Sequence, residues 1–161
     1  MPDANASAQQ GGTDESSKSR ILDAAVALFY SKGYDATSVA DILEAVGIAK
    51  GTFYHHFASK AQVVEEIVSR NLAQVEPMLQ EIANDKELSA PLRFQKLFSV
   101  SQAWKSRNRD VVIATMTAMY SEKNLLLRRR MEQESLRRVQ PIYRSLIADG
   151  VREGSFNPVH P

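Results

Sequence analysis

Apolar residues recur along the first third of the chain with the period of an α-helix. The first such set occupies a single helical face. Its members are Ile21, Leu22, Ala25, Leu28 and Phe29. Gly33 comes directly after Lys32, and a glycine behind a cation is typical of a helix C-terminus. The pattern therefore predicts a first helix that ends at about Gly33.

A second helix start follows at once. Ser38 and Asp41 have the spacing of a capping box, in which a serine hydroxyl and an acidic side chain satisfy free N–H groups of the first helical turn. Apolar residues then repeat at helical spacing over residues 39–46, and Gly47 follows. We expect a short second helix that ends at this glycine.

A third short segment, residues 49–57, separates its side chains into two faces. Phe53 and Phe57 lie four residues apart, on the same side of a helix. The other side carries Lys50, Thr52, Tyr54, His55 and His56. Lys60 then begins a longer helix with an apolar stripe as far as Val75, and Pro77 predicts a kink in this helix or its boundary.

The remainder of the chain has the same helical period. Pro91 suits a first helical turn, and apolar residues continue from there to Trp104. Further helices are predicted over residues 111–120 and 125–148, with Asp149 and Gly150 at the end of the last one. Because no stretch has the sustained period-2 alternation of a β-strand, we predict an all-α fold.

Composition narrows the class of protein. The chain has 161 residues, 43% of them hydrophobic, which is enough for one compact domain or for one small domain and a larger one. It contains no cysteine, so disulfides, cysteine nucleophiles and thiolate metal sites are excluded. No apolar run reaches the length of a membrane span, and the N-terminus lacks a secretory pattern, so we expect a cytoplasmic protein without a membrane partner. The net charge of +1 does not by itself indicate a nucleic-acid partner.

The same features divide the chain into three parts. Residues 1–17 are rich in small and polar residues and contain no aromatic residue, so they bury too little surface to offset their ordering entropy. We expect them to form a flexible tail. Residues 18–66 contain the three helices described above and the start of the fourth, and residues 67–161 contain the other helical segments.

Two short helices joined by a glycine-containing turn, behind a longer helix, are typical of a helix-turn-helix. In that motif the first short helix braces across the DNA backbone, and the second is narrow enough to lie in the major groove. Here the bracing helix is Val39–Val46 and the recognition helix covers residues 49–57. Gly51 has no side chain, so its backbone can approach a phosphate closely. Lys60 lies at a helix start, where free N–H groups also attract phosphate.

At these positions the chain resembles the N-terminal domain of TetR-family transcriptional regulators. The resemblance is carried by Gly33-Tyr34-x-x-Thr37-Ser38-Val39-x-x-Ile42 and then by Gly47-Ile48-Ala49-Lys50-Gly51-Thr52-Phe53-Tyr54-His55-His56-Phe57-x-x-Lys60. It extends over residues 21–68. It implies a cytoplasmic homodimer that binds a palindromic operator in double-stranded DNA, usually as a repressor. It also implies that a small ligand entering the helical C-terminal domain releases the operator. No cofactor is implied.

The resemblance also assigns roles to particular residues. It makes Lys50, Thr52, Tyr54, His55 and His56 the DNA contacts of the recognition helix. Lys60 becomes a clamp on the DNA backbone, and Thr37 or Ser38 becomes both the cap and a phosphate contact of the bracing helix. Three positions depart from the family's usual pattern, since Val46 replaces alanine, Ala49 a hydroxyl cap and Ala58 a polar or basic residue.

Each of these residues also has a plainer interpretation. In this interpretation Tyr54 is a half-buried residue that packs against its neighbours. Lys50 and Lys60 are lysines exposed to solvent. His55 and His56 are adjacent, so on a helix they point about 100° apart, and no carboxylate is suitably spaced from both. We therefore expect no metal site. No arrangement of residues typical of an active site is present either, so we do not expect an enzyme.

A second set of residues forms a candidate effector pocket. These residues are aromatic, thioether or aliphatic side chains on predicted inward faces, and they suit an adaptable apolar cavity or an ordinary core equally well. They are Leu72, Met78, Phe94, Phe98, Trp104, Met116, Met119, Tyr120 and Tyr143. The expected effector is accordingly a small molecule of largely apolar character.

Length leaves two functional hypotheses open. In the family, a segment such as that from Pro141 to Phe156 is normally followed by further helices that form much of the dimer interface, whereas this sequence ends at Pro161. The first hypothesis is a ligand-responsive, operator-binding regulator that dimerises through its remaining helices. The alternative is a helical ligand-binding or heterodimerising protein that has lost operator binding through its short C-terminus.

Overall fold

The computed structural model describes residues 6–157. In chain order the helices are α1 (Ala6–Ser31), α2 (Val39–Val46), α3 (Lys50–His56), α4 (Lys60–Asn84), α5 (Ala90–Arg107), α6 (Arg109–Met119) and α7 (Leu125–Arg152). A 3₁₀ turn, Glu122–Asn124, lies between α6 and α7. Within residues 6–157 there is no strand, and the predicted all-α fold is confirmed.

Helix α1 begins earlier than the composition predicts. It starts at Ala6, so residues 6–17, which we expected in a flexible tail, are helical. Residues 1–5 of the predicted tail lie outside the described residues. A helix that has formed over residues 21–29 gains a hydrogen bond with each residue it adds, and this favours its extension toward the N-terminus. At its other end, α1 stops at Ser31, and Gly33 has a φ of +89°, which an L side chain rarely adopts.

The described residues divide into two compact units. The first unit contains residues 6–67 and 110–127, and the second contains residues 68–109 and 128–157. The break after residue 67 lies close to the expected domain boundary between residues 66 and 67. Helix α6, by contrast, belongs to the first unit, although its sequence position suggested the C-terminal domain. Helical periodicity cannot reveal this assignment, because it gives the buried face of a helix and not the partner of that face.

The first unit has an apolar core to which α1, α2, α3 and the start of α4 all contribute. Its buried side chains include Ile21, Leu22, Ala25, Phe29, Ile42, Val46, Phe53, Phe57, Val63, Val64 and Ile67. These positions reproduce the apolar faces that the sequence pattern predicts. Helices α1, α2 and α3 contact one another, so the core sets their mutual orientation.

The second unit combines an apolar core with a buried ion-pair cluster. Leu79, Ala83, Ala90, Leu97, Ile142 and Leu146 form the core. Beside it, the Arg93 side chain is only 1% exposed and donates to Asp149 at 2.6 Å and to the carbonyl of Ala83 at 2.9 Å. Its other terminal nitrogen donates to Glu153 at 2.7 Å, and Glu153 in turn accepts from the backbone N–H of Ala90, the first residue of α5. One guanidinium therefore connects the end of α4, the start of α5 and the end of α7.

Helix α7 continues beyond its predicted end. Asp149 and Gly150 do not stop it, and it runs to Arg152 before Gly154 adopts a φ of +72°. Gly150 serves packing instead, because a Cβ at this position would overlap the ring of Phe156. The N–H groups of Ser155 and Phe156 both donate to the carbonyl of Gly150. These two bonds hold the segment after α7 against the C-terminal end of that helix.

Pro77 lies inside α4, seven residues before the last residue of that helix, so it is not a helix boundary. A proline there removes one backbone hydrogen bond without ending the helix. Among the described helices, none combines the length and the apolar character needed to cross a lipid bilayer.

Candidate nucleic-acid interface

The turn between α2 and α3 is closed by backbone and side-chain hydrogen bonds. Gly47 adopts a φ of +70°, and its N–H donates to the carbonyl of Leu43 at 2.9 Å. The N–H of Ile48 donates to the same carbonyl at 3.2 Å. From α1, the Arg20 guanidinium donates to the carbonyl of Val46 at 2.5 Å. These bonds satisfy the free carbonyls at the end of α2, so the chain enters α3 in a fixed direction.

Helix α3 presents two different faces. Phe53 and Phe57 are buried, and their ring centroids lie 5.7 Å apart. Lys50, Gly51 and His55 are exposed on the helix. The division predicted from the sequence is therefore present in the structure, with hydrogen-bonding groups directed away from the core.

Tyr54 belongs to the outer face as well. Its side chain is 48% exposed, and the Lys50 ammonium lies 5.8 Å from the centre of its ring. The plainer interpretation of Tyr54 as a packing residue is partly correct, since its ring also meets Phe53 edge-on at 5.3 Å. Thr52 and His56 are half-buried at the flanks of this face. His55 and His56 have their ring centroids 5.2 Å apart.

The capping box at the start of α2 is present as predicted. The backbone N–H of Asp41 donates to the Ser38 hydroxyl at 3.1 Å, and the backbone N–H of Ser38 donates to the Asp41 carboxylate at 2.6 Å. Lys32 donates to the same carboxylate at 2.8 Å. The hydrogen bond from Lys32, followed by those from Ser38, lowers the pKa of Asp41 to about 2. Ser38 is exposed, so its hydroxyl remains accessible from outside.

Thr37 is placed differently from the expectation. Its side chain is 1% exposed, and its hydroxyl donates to the carbonyl of Gly33 at 2.7 Å. A buried hydroxyl with an internal acceptor is poorly placed for a phosphate, so of the two expected contacts, Thr37 or Ser38, the structure favours the exposed Ser38. Thr37 instead closes the turn between α1 and α2.

The Lys60 side chain points toward the turn between α1 and α2, whereas a lysine is usually directed into solvent. Its ammonium donates to the carbonyl of Tyr34 at 2.5 Å and to the carbonyl of Thr37 at 2.7 Å. It also lies 4.0 Å from the centre of the Tyr34 ring. Burial lowers the pKa of Lys60. Because an ammonium has three donor hydrogens, the expected clamp on the DNA backbone stays a prediction that depends on the third.

Sequence reasoning missed several residues that shape this region. Arg20 was not expected to close the end of α2, and Lys32 was expected only to stabilise the end of α1. Both lie outside the motif, and their contacts depend on how α1 packs against α2. Lys32 directly follows the end of α1, whereas Arg20 lies eleven residues before that end, where no sequence signal marks it.

The residues of the candidate effector pocket are divided between the two units. Leu72, Met78, Phe94, Phe98, Trp104 and Tyr143 belong to the second unit, whereas Met116, Met119 and Tyr120 belong to the first. The second unit contains an open cavity of about 550 Å³ lined by Met78, Glu81, Ile82, Asn84, Asp85, Lys96 and Val100. Of the predicted pocket residues, only Met78 lines that cavity. Phe98 is 61% exposed, so it is not a core residue of the described chain.

The geometry of the first unit defines a class of protein. A capped bracing helix, a turn closed by Gly47, and a recognition helix with an apolar inner face and a hydrogen-bonding outer face together make a helix-turn-helix of the kind that docks into the major groove.

Comparisons with known proteins identify the family. The family model for bacterial regulatory proteins of the tetR family matches residues 21–67. The repressor KstR2 of Mycolicibacterium smegmatis is 31% identical over 148 residues, which cover 89% of this chain and 69% of that protein. The negative transcriptional regulator IcaR of Staphylococcus aureus is 35% identical over 81 residues, covering 50% of this chain and 44% of that protein. The chain belongs to the TetR family and is a DNA-binding transcriptional regulator.

Solved structures agree on the fold. The regulator FadR of Bacillus subtilis, crystallised with stearoyl-CoA, has a TM-score of 0.77 at 22% identity, covering 88% of this chain and 75% of that one. A tetR-family regulatory protein from Rhodococcus RHA1 has a TM-score of 0.70 at 21% identity, covering 89% of this chain and 74% of that one. At these identities the likeness establishes the shared fold.

Proposed function

We propose that this chain is a cytoplasmic repressor that holds a palindromic operator as a homodimer and releases it when a small, largely apolar effector binds. Repression is supported by the M. smegmatis relative KstR2, which is a transcriptional repressor. The two-fold symmetry of a homodimer matches the symmetry of a palindromic operator. Two recognition helices about 34 Å apart reach successive turns of the major groove on one side of the duplex.

The observation that carries the proposal is the outer face of α3. Lys50, Tyr54 and His55 are exposed on a helix whose other face is anchored by Phe53 and Phe57. Side chains on an anchored helix have defined positions, and donors at defined positions can distinguish base pairs in the major groove. We assign Lys50, Gly51, Thr52, Tyr54, His55 and His56 to this contact.

Backbone contacts are assigned next to it. The exposed Ser38 hydroxyl lies at the start of α2, where a bracing helix crosses the phosphates. Lys60 contributes a positive charge close to Ser38, and its ammonium also donates to two carbonyls of the turn between α1 and α2. Each neutralised phosphate makes the affinity fall with salt, with a slope of about −0.9 on a logarithmic scale.

The effector part of the proposal rests on residue chemistry. Phe94 meets Tyr143 and Phe156 edge-on, with ring centroids 6.0 and 6.4 Å apart, and Phe98 is exposed one turn along α5. This aromatic surface favours an apolar ligand. Release follows if ligand and operator prefer different conformations, with a coupling free energy of about 1–3 kcal/mol.

Selection of bound fragments from sheared source DNA, at low and at moderate salt, tests the proposal. We expect sequencing to recover an enriched palindrome, and Lys50→Ala to change the recovered sequence. Lys105→Ala is the matched control, since Lys105 is an exposed lysine on α5. Salt-sensitive binding without any enriched motif would instead favour the alternative, a helical ligand-binding or heterodimerising protein.

A further inference from the structure

The turn between α1 and α2 determines where the DNA-binding helices begin. It ends at Ser38, the N-cap of α2, and α2 in turn contacts α1 and α3. Direct readout of bases tolerates displacements of only about 0.5 Å, so a shift of this turn would misplace α3 in the groove. The contacts that fix the turn therefore bear on recognition even where they touch no DNA.

Part of the restraint is local to the turn and to α4. The N–H of Thr37 donates to the carbonyl of Tyr34 at 3.2 Å, and the Thr37 hydroxyl donates to the carbonyl of Gly33. Lys60 then binds two carbonyls of the turn from the start of α4. These contacts restrain the backbone of the turn, and the Tyr34 ring also packs edge-on against Phe29 at 5.1 Å and lies 4.0 Å from the Lys60 ammonium.

A further restraint comes from the α6–α7 connector, residues 120–124. The Ser121 hydroxyl donates to the Asp35 carboxylate at 3.0 Å, across a separation of 86 residues in sequence. The Tyr34 ring is buried, which raises the pKa of its hydroxyl, and the nearby Asn124 side chain lowers that pKa by a smaller amount. Two neighbouring side chains of the turn are thus held by two side chains of one short connector.

The connector is itself ordered, so it can act as a support. The Asn124 side chain donates to the carbonyl of Ala118 in α6 at 2.8 Å, and its backbone N–H donates to the carbonyl of Ser121 at 3.0 Å. Neither Ser121 nor Asn124 lies in α2 or α3. Their effect on DNA must pass through Tyr34 and Asp35.

We infer that Ser121 and Asn124 are positioning residues for operator recognition, which fix the α1–α2 turn by binding Asp35 and Tyr34. The inference rests on the proposed operator binding. It assigns a role to the α6–α7 connector that residue type and sequence position did not indicate, since the connector lies more than 60 residues beyond the recognition helix.

Two variants with two matched controls test this inference. Ser121→Ala and Asn124→Ala each remove one contact to the turn. Thr117→Ala removes a hydroxyl that donates only within α6, to Ile113 and Ala114. Asn108→Ala removes an amide that follows α5 and donates to Trp104 near the end of that helix. Affinity is measured for the selected operator and for a scrambled duplex at the same salt concentration.

We expect operator affinity to fall about fivefold in each variant, the usual effect of one lost hydrogen bond, with affinity for the scrambled duplex unchanged. Ser121→Thr, which keeps the hydroxyl, should restore operator affinity. The controls should match wild type on both duplexes. Unchanged operator affinity in both variants would overturn the inference. So would an equal loss on both duplexes together with a lower melting temperature, because that result describes a purely structural role.

A DNA-free measurement separates this inference from the proposed function. Hydrogen exchange at the Thr37 amide should be faster in Ser121→Ala and Asn124→Ala than in the two controls, because the turn opens more often. If wild type fails to distinguish the operator from the scrambled duplex, the proposed function is wrong, and exchange still decides whether the connector holds the turn. Exchange equal to that of the controls would overturn the inference by itself.

Discussion

Helices α3 and α5 distribute polar and apolar side chains in opposite ways. In the first unit the aromatic residues of α3, Phe53 and Phe57, are buried, and the charged Lys50 is exposed. In the second unit the charged Arg93 of α5 is buried, and the aromatic Phe98 of the same helix is exposed. A buried side chain mainly serves stability, and an exposed one is available to a partner. Helix α3 thus offers a hydrogen-bonding face to a partner, whereas α5 offers an aromatic side chain.

Residue type therefore indicates a binding partner only when the exposure of the side chain is also known. Lysine and tyrosine on α3 have the exposure that DNA contacts need, whereas Thr37 and Arg93, equally polar, are committed to internal acceptors. Substitutions on both helices and at the ends of the buried cluster test this contrast.

Arg93→Met should have the largest effect. The methionine leaves Glu153 without its buried partner and removes one partner of Asp149, and breaking a buried ion pair costs about 3–5 kcal/mol of unfolding free energy. Urea denaturation followed by the fluorescence of Trp104, the single tryptophan, measures the loss. Lys96→Met on the same helix is the control, since Lys96 is exposed. Equal stability of the two variants would show that the buried cluster contributes nothing.

Gly150→Ala should destabilise the second unit by about 1–3 kcal/mol, because the added methyl group overlaps the Phe156 ring and forces the segment after α7 to move. Gly51→Ala is the matched control for stability, since a Cβ at Gly51 meets no neighbouring atom. Thermal unfolding measures both. A stable Gly150→Ala variant would mean that Phe156 is not fixed on α7.

Lys50→Ala should lower operator affinity by about 1–3 kcal/mol while leaving unfolding unchanged. Its ammonium lies on the outer face of α3 near the Tyr54 ring, where it contributes to a surface and not to the core. Fluorescence anisotropy with labelled operator measures affinity, and thermal melting measures stability. A clear loss of stability would contradict the division between the two faces of α3.

Acid should act on both units over the same range of pH. The pKa values of Asp41 and Asp149 are both lowered to about 2, by hydrogen bonds from Lys32 and Ser38 in the first case and mainly from Lys86 and Arg93 in the second. A carboxyl whose pKa is lower in the folded chain stabilises it fully above the unfolded value near 4, and this contribution disappears as the pH falls toward 2.

The two carboxyl groups are distinguished by Asp41→Asn and Asp149→Asn. Each variant should be less stable than wild type at pH 6, and the difference should shrink as the pH falls from 4 to 2. Urea unfolding at several pH values measures this. A difference from wild type that stays constant down to pH 2 would show that the substituted carboxyl is not the group that titrates.

Much of the fold could be predicted from the sequence because its signals are local. Ser38 and Asp41 mark the start of α2, Gly47 marks its end, and both features are present at those residues. The two faces of α3 also follow from spacing alone. What these predictions share is that the contacts that decide them lie within one or two helical turns.

The rest depends on contacts between residues far apart in sequence. Lys60 binds the carbonyls of Tyr34 and Thr37, so its direction could not be predicted from its position at a helix start. The burial of Arg93 depends on acids 56 and 60 residues later. Charged residues are usually exposed, so residue type points in the wrong direction here.

The wide spacing of the Arg93 cluster has a consequence for synthesis of the chain. The buried residues of α1, α2, α3 and the start of α4 all lie between Ile21 and Ile67. Arg93, by contrast, can form its ion pairs only after Asp149 and Glu153 have been synthesised. A ribosome that adds about 5–20 residues per second needs about 3–12 s to reach them. During that interval Arg93 lacks both of its ion pairs, and the backbone N–H of Ala90 lacks its acceptor Glu153. The second unit can therefore complete its buried cluster only after these late residues have been synthesised.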